Sequence, residues 1–291
     1  MIIIELSGGL GNQMFQYALY LSMKSRGIAV EMDTSLFTIV KKLNEPEILQ
    51  FPNVHYKVAG LHVVSMMRGY GYCDNIIDRV FHHVFHFKEY KYTEDITLGF
   101  QPQIFDLKSA YLNGYWQSEL YFNNIRNSVI HEFEFSSETV NYKCDSFNYF
   151  KSAIMKSNSV SIHVRRGDYL SKEQLPVYGN ICTNEYYCNA VKYIAGTIDN
   201  PTYFVFSDDI EWVKNNIDVA GMILVNEKKQ WSGIVDLYLI SICRYHIIAN
   251  SSYSWWGAWL GDNDDKLVIS PSRWMNSVEQ TDMICNDWVR L

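Results

Sequence analysis

At 291 residues, with a formal charge of −7 and both signs mixed along its length, the chain has no general positive field for nucleic acid, so any anion site must be local. That length supports one large or two modest domains with cores that need no disulfide or metal staple. Six cysteines at 73, 144, 182, 188, 243 and 285 form no CxxC pair, which excludes a zinc ribbon and fits reduced thiols in the cytoplasm.

The opening MIIIELSGG is cut short by Glu5 and glycines and lacks the basic start of a signal peptide, so residues 2–6 read as a first strand. A glycine turn over 8–11, an amphipathic helix over 14–26 and a second strand over 28–32 follow. That unit calls for parallel pairing with a crossover. Residues 41–105 are rich in His, Tyr and Phe, with short helices expected near 76–87. A strand over 111–116 and a helix over 119–131 come next. The polar passage 135–158 marks a domain boundary, giving domains 1–152 and 153–291. After it, strands over 159–164, 202–206, 222–225, 246–249 and 267–269 alternate with helices near 184–196, 209–216, 233–243 and 254–260. The pattern predicts a doubly wound α/β fold, built as two such domains facing a cleft. No run approaches the roughly 20 apolar residues that span a bilayer, so at most peripheral contact with a membrane is expected.

Chemistry concentrates where strands end. SVSIHVRRGDY, from Ser159, closes a strand with His163, Arg165, Arg166, Gly167 and Asp168. The pleat sends His163 and Arg165 to one face and Arg166 to the other. Paired guanidinium forks suit a diphosphate better than a single carboxylate; the plainer reading is a salt bridge to Asp168. SGGLGNQMFQYA near the start has Gly9 and Gly11 but places Met14 where a dinucleotide fingerprint needs its third glycine, and only Asp33 could end the second strand with an acid. A nicotinamide oxidoreductase is therefore a weak alternative. Asn12 and Gln13 suit sugar hydroxyls or phosphate oxygens, with helix capping by Asn12 as the rival.

Asp208 and Asp209, after TYFVFS, could bind a metal, meet ribose hydroxyls or cap the next helix. Asp236 stands in the otherwise apolar WSGIVDLYLISIC, either paired in a salt bridge or accepting from guanine's adjacent N–H groups. Asn250, Ser251, Ser252 and Ser254 precede or open a helix whose Trp255, Trp256 and Trp259 read as core, and small hydroxyls at a helix start make an anion cradle. The Asn250 sequon carries no weight without an export signal. His82, His83 and His86 lack the companion ligands of a closed metal site.

Taken in order, GGLGNQMFQYA, HVRRGDY, FSDD and NSSYSWWGAWL span nearly the whole chain and closely resemble the bacterial α-1,2-fucosyltransferases of glycosyltransferase family 11. The HxRRxD pattern alone is shared with α-1,6-fucosyltransferases and, more loosely, with protein O-fucosyltransferases. The resemblance implies a GT-B type fold with 1–152 as the acceptor-side domain and 153–291 as the GDP-fucose-binding domain, GDP-β-L-fucose as donor, inversion at the anomeric carbon, no cofactor and no required metal. It implies Arg165 as the main diphosphate ligand, Arg166 and Asp168 in support, His163 near the nucleotide and Asn12 near the fucose with Gly11 beside it. It also implies Asp236 for guanine, Ser251, Ser252 and Ser254 for phosphate oxygens, and Asp208 for positioning the nucleotide or its loop. Glu173 is a weak candidate for the base. The expected product carries L-fucose on O2 of a terminal β-galactoside, made for a surface polysaccharide such as O-antigen on a lipid-linked acceptor. A fucosyltransferase of another linkage, or a GDP-sugar-binding protein without turnover, are the alternatives.

Overall fold

The computed structural model describes residues 1–39, 45–68, 90–278 and 282–291. The expected helices near 76–87 and the histidines 82, 83 and 86 lie outside these residues. The chain divides into two compact units, Met1–Glu134 and Phe135–Leu291. The sequence boundary at 152 therefore moves back, because residues 135–152 pack within the second unit: Phe147 on the helix Asp145–Met155 meets Tyr238 and Trp231. That helix formed in a passage expected to be irregular; its apolar residues Phe147 and Ile154 fall on one buried face.

In the first unit, β1 (Ile2–Glu5), β2 (Val30–Asp33), β3 (Lys91–Thr93) and β4 (Ala110–Asn113) form a parallel sheet in the order β2-β1-β4-β3. All four β1 residues are buried, as expected for a strand covered on both faces. The helix Leu10–Ser25 supplies the crossover between β1 and β2. The helix expected over 119–131 is instead two 3₁₀ turns, Glu119–Tyr121 and Asn123–Ile125, followed by the helix Arg126–Glu132. The backbone breaks at Phe122 (φ −142°), where the ring is wholly buried, so packing overrides helical periodicity there. β3, three residues long with exposed ends, carries too little apolar pattern to be read from sequence.

In the second unit, β5 (Asn158–Val164), β6 (Pro201–Ser207), β7 (Ile223–Leu224), β8 (Tyr245–Ile247), β9 (Leu267–Ser270) and β10 (Val289–Arg290) are all parallel, in the order β10-β9-β8-β5-β6-β7. Counted within the unit this is 3-2-1-4-5-6 read from β7, the doubly wound order in which the winding reverses between the first and fourth strands. Those strands are β5 and β8. Val160, Ile162, Val164, Val205, Tyr187 and Ile194 anchor the core on one side of this sheet. The helix Gly233–Ser241, apolar nearly all round, packs on the helix Ser252–Leu260, and a Cβ on Gly257 would lie 2.4 Å from Ile240. Trp255, Trp256 and Trp259 are buried as core residues, Trp255 donating its indole N–H to the Met283 carbonyl at 2.6 Å.

Candidate active site

The register of the second sheet assembles the site. β5 and β6 are paired through Val164 and Ser207, so Arg165 and Asp208 emerge side by side one residue later. β5 and β8 are paired through Ile162 and Ile247, and Arg165 and Asn250 each stand three residues beyond that pair, across the switch point.

Arg165 is held by two carboxylates. Its Nη1 lies 3.0 Å from Asp208 Oδ2 and its Nη2 2.9 Å from Asp168 Oδ1. Burial would lower its pKa, but the charges of Asp208 and Asp168 more than offset that and leave the guanidinium more firmly protonated than usual. The salt bridge expected as the plainer reading is therefore present, yet the side chain stays 38% exposed and retains further N–H groups for a ligand. The Tyr169 ring lies beneath it at 5.8 Å, and the Tyr169 hydroxyl donates to the Asn250 carbonyl at 3.0 Å, tying the two loops of the switch point together.

Asp208 also accepts from the backbone N–H of Arg166 at 2.9 Å and of Gly167 at 3.2 Å. One carboxylate thus fixes both the loop backbone and the Arg165 fork. Asp209 caps the helix Ile210–Asn216, accepting from Trp212 N at 3.0 Å, while its other oxygen meets Arg166 Nε at 3.2 Å. The Arg166 guanidinium also lies 4.2 Å from the Trp212 ring centroid. Arg166 takes partners that Arg165 does not, and its contacts make it a brace for the loop.

His163 is 7% exposed, and its Nδ1 is buried with no hydrogen-bond partner among the described residues. Burial first, and the Arg165 charge second, push its pKa down to about 3, so the imidazole is neutral at physiological pH and offers an acceptor. Its ring lies 5.5 Å from that of Tyr253 in the first turn of the helix Ser252–Leu260. Ser251 is the N-cap residue of that helix, but its side chain makes no capping bond. The Ser254 hydroxyl points inward, bonding the carbonyls of Ala249 and Ser251, so it serves the turn; Ser252 sits half-buried at the first helical position. Asn250 is 2% exposed and donates to the carbonyls of Tyr178 and Trp274, both at 3.1 Å. Its side chain is a structural tie.

Among the described residues Asp236 has no cationic partner; Trp231 Nε1 donates to one oxygen at 2.8 Å and Asn226 Nδ2 to the other at 3.1 Å. Burial raises its pKa to about 6, against the lowering effect of those two bonds. It braces the 226–231 loop against its own helix. Glu173 is exposed, and no hydrogen bond or ion pair links it to Arg165 or His163.

In the first unit the glycine loop is closed differently. Gly9 is the N-cap of the Leu10–Ser25 helix without a side-chain cap, and Leu10 N donates to Glu47 Oε2 at 2.7 Å. Asn12 is the third helical residue, accepting from Gln117 Nε2 at 2.6 Å, with Gly11 buried beside it; Asn12 is not the cap. Gln13 is consumed internally, donating to the Gly8 carbonyl and accepting from Ile48 N. Asp33 accepts from Tyr111 and Ser35 N and faces Arg68, so the acid that a nicotinamide enzyme would offer to ribose is already engaged.

Sequence reading had not marked Tyr169, Trp212 or Glu47. Tyr169 ends the HVRRGDY motif and Trp212 stands one turn after Asp209, so both lay in view; Glu47 joins its helix only through folding.

Residues 1–291 match the family Glycosyl transferase family 11. The chain belongs to that family. It is 30% identical to the Escherichia coli O-antigen biosynthesis glycosyltransferase WbnK, over 98% of this chain and 99% of the relative. It is 32% identical to an Escherichia coli alpha-1,2-colitosyltransferase, over 100% and 98%. A Bos taurus galactoside alpha-(1,2)-fucosyltransferase 1 is 24% identical over 53% of this chain and 44% of its own length. Among solved structures, apo POFUT1 superposes with a TM-score of 0.51 at 11% identity, covering 92% of this chain and 97% of that one. The fold is of the GT-B type, and the protein is a family 11 glycosyltransferase. No helix among the described residues is long and apolar enough to cross a membrane.

Proposed function

We propose that this glycosyltransferase moves L-fucose from GDP-β-L-fucose to O2 of a terminal β-galactoside, with inversion, during synthesis of a surface polysaccharide. The observation that carries the reading is the Arg165 fork, fixed by Asp208 and Asp168 at the β5/β8 switch point beside an orphaned, neutral His163. In the transfer, the bond from the fucosyl C1 to the diphosphate oxygen breaks as the galactose O2 bonds to C1 from the opposite face, and O2 gives up its proton to solvent water. The electron pair leaves with the diphosphate, so charge develops there. A preformed guanidinium aimed at that charge needs little reorganisation and lowers the barrier without a metal. The start of the Ser252–Leu260 helix, where Ser251 supplies no side-chain cap, adds its dipole to the same anion. His163 Nδ1 accepts from a donor on the nucleotide.

Nucleotide-linked colitose is a second donor reading, favoured by the full-length alpha-1,2-colitosyltransferase relative. The test is incubation with GDP-fucose and lactose in EDTA, with nucleotide-linked colitose in parallel, and NMR assignment of any product linkage. A 2-O-fucosylated galactose is expected. A different linkage, or GDP binding without product from either donor, would overturn the reading.

A further inference from the structure

The pairing of β5 with β8 runs to Ile162 and Ile247, so Arg165 and the start of the helix Ser252–Leu260 are carried on two loops that no strand ladder joins. A diphosphate offers oxygens on two phosphorus atoms, and to meet a guanidinium and a helix start together it needs the gap between them fixed. The first sheet has a switch point of its own, since its order β2-β1-β4-β3 reverses between β1 and β4, and there a side chain fixes the gap. Gln16 accepts from Ser7 N at 2.9 Å and donates to the Gly114 carbonyl at 2.9 Å, joining the loops that follow the two strands. In the second sheet the joining side chain is Tyr169.

Tyr169 touches both elements. The Arg165 guanidinium carbon lies 5.8 Å from its ring centroid, and its hydroxyl donates at 3.0 Å to the carbonyl of Asn250, the residue before the N-cap Ser251. Burial raises the phenol pKa, against the lowering effect of the Arg165 charge, so the hydroxyl stays a donor at neutral pH. The tyrosine is itself braced. Tyr178 stacks on it, with ring centroids 5.1 Å apart and planes inclined by 21°. Tyr178 ends the short helix Leu175–Tyr178, and the carbonyls that such a helix leaves open are taken by two asparagines. Asn276 donates Nδ2 to Pro176 O at 3.2 Å and to Gly179 O at 2.9 Å, and its backbone N–H to Val177 O at 2.8 Å. Asn250 Nδ2 takes the Tyr178 carbonyl. Gly179 is buried in this clasp, where an added Cβ would lie 2.7 Å from the Leu175 carbonyl oxygen.

We infer that Tyr169 is a positioning residue for nucleotide recognition: it sets the Arg165 fork against the start of the Ser252–Leu260 helix so that both meet one diphosphate, and Tyr178 and Asn276 hold it there. The inference rests on the reading of Arg165 as the diphosphate ligand. Its test is a double-mutant cycle of Tyr169→Phe and Arg165→Lys in the full chain, reading GDP affinity by calorimetry and, for the weaker variants, by saturation-transfer NMR titration. Tyr169→Phe keeps the ring and removes only the hydroxyl; it is expected to weaken GDP binding about tenfold, the scale of one buried hydrogen bond with its acceptor left unpaired. In the Arg165→Lys protein, where the fork is already lost, the same change is expected to cost less than about threefold, because a residue that acts through another has nothing left to act on. A tyrosine that served only the stability of the fold would cost the same factor in both backgrounds. Equal losses in the two, or unchanged GDP affinity in Tyr169→Phe, would overturn the inference and leave the donor reading standing. Absence of GDP binding by the parent protein would overturn both. Should Tyr169→Phe lose its thermal transition, Asn276→Ala decides by the same cycle: it releases the carbonyls of Pro176 and Gly179 without touching Arg165, and a loss of GDP affinity confined to the background that keeps Arg165 is again expected, while an equal loss or none overturns the inference.

Discussion

The two switch points share a backbone plan and differ in what fills it. Each follows a parallel strand with a turn and a helix, and each brings a second strand-end loop alongside. At β5/β8 the strand ends in a guanidinium held by carboxylates, and no side-chain cap closes the helix start opposite. At β1/β4 the strand ends in Glu5, 6% exposed and bonded to Tyr111, Asn113 and Arg68, while Glu47 closes the helix start. One edge presents a guanidinium and a helix start without a side-chain cap, and the other already contains negative charge. A glycine-rich turn at a helix start therefore does not by itself make a phosphate site; what decides is whether the protein's own carboxylate reaches the N–H groups first.

The largest expected break in that contrast is Arg165→Lys. Lysine keeps the charge but cannot hold Asp208 and Asp168 on separate nitrogens while offering a third donor to the diphosphate. Turnover of GDP-fucose should fall by about 10²-fold or more, the scale of removing one transition-state donor. Steady-state kcat measures it, and near-normal turnover would move the diphosphate site elsewhere. Asp208→Ala comes next. It strips the acceptor from Arg166 N and Gly167 N as well as the Arg165 ion pair, so the loop loses its shape while Asp209 still holds Arg166. GDP affinity by calorimetry should fall about tenfold or more. An unchanged affinity would show that the loop is set by something other than this carboxylate.

These two sites were legible in the sequence to different depths. The doubly wound pattern of the second unit could be read because β5 and β6 are long and apolar, with clear helices between them; β10, two residues at the edge, could not. Arg165 could be singled out as a phosphate candidate from its place at a strand end. Its partner Asp208 stands 43 residues away in sequence (208 − 165), and only the strand register brings the two together. The rival roles of Asp236 were a cation partner or a ligand, and neutral donors from Trp231 and Asn226 satisfy it here; hydrogen bonds from an indole and an amide leave no charge pattern to find. The same holds for Glu47, whose contact with Leu10 N depends on packing of the 3₁₀ turn Glu47–Gln50 against the first helix.

A third expected effect concerns acid. Burial first, with Arg165 and Lys266 respectively second, holds His163 and His246 at about 3 in the folded chain, against 6.5 ordinarily. Between those values the unfolded chain binds more protons, so stability is complete above pH 6.5 and declines as pH falls, by up to about 1.4 kcal/mol per pH unit for each group. Asp236 acts oppositely. With its pKa raised to about 6, it is protonated in the fold before it would be in the unfolded chain, and it favours folding as pH falls from about 6 toward 3.8. Urea unfolding from pH 7 to 4.5 should show net loss on acidification, and His246→Phe should flatten it by one group's share, since His246 is bonded to Ser161 at 2.9 Å in the core, outside the ligand loops. An unflattened slope would mean that another group carries the acid sensitivity.

The smallest expected effect is the sharpest probe of the contrast. Glu47→Gln keeps an oxygen for Leu10 N and removes only the charge at the start of the first helix. Charge–dipole terms at helix ends are worth about 0.3–1 kcal/mol, so a slight drop in thermal stability is expected. The informative reading is GDP affinity at low ionic strength. If diphosphate recognition belongs wholly to the Arg165 edge, calorimetry should show no change. A severalfold tightening of GDP binding would mean that the first helix start meets the nucleotide too, and that Glu47 competes with phosphate for it.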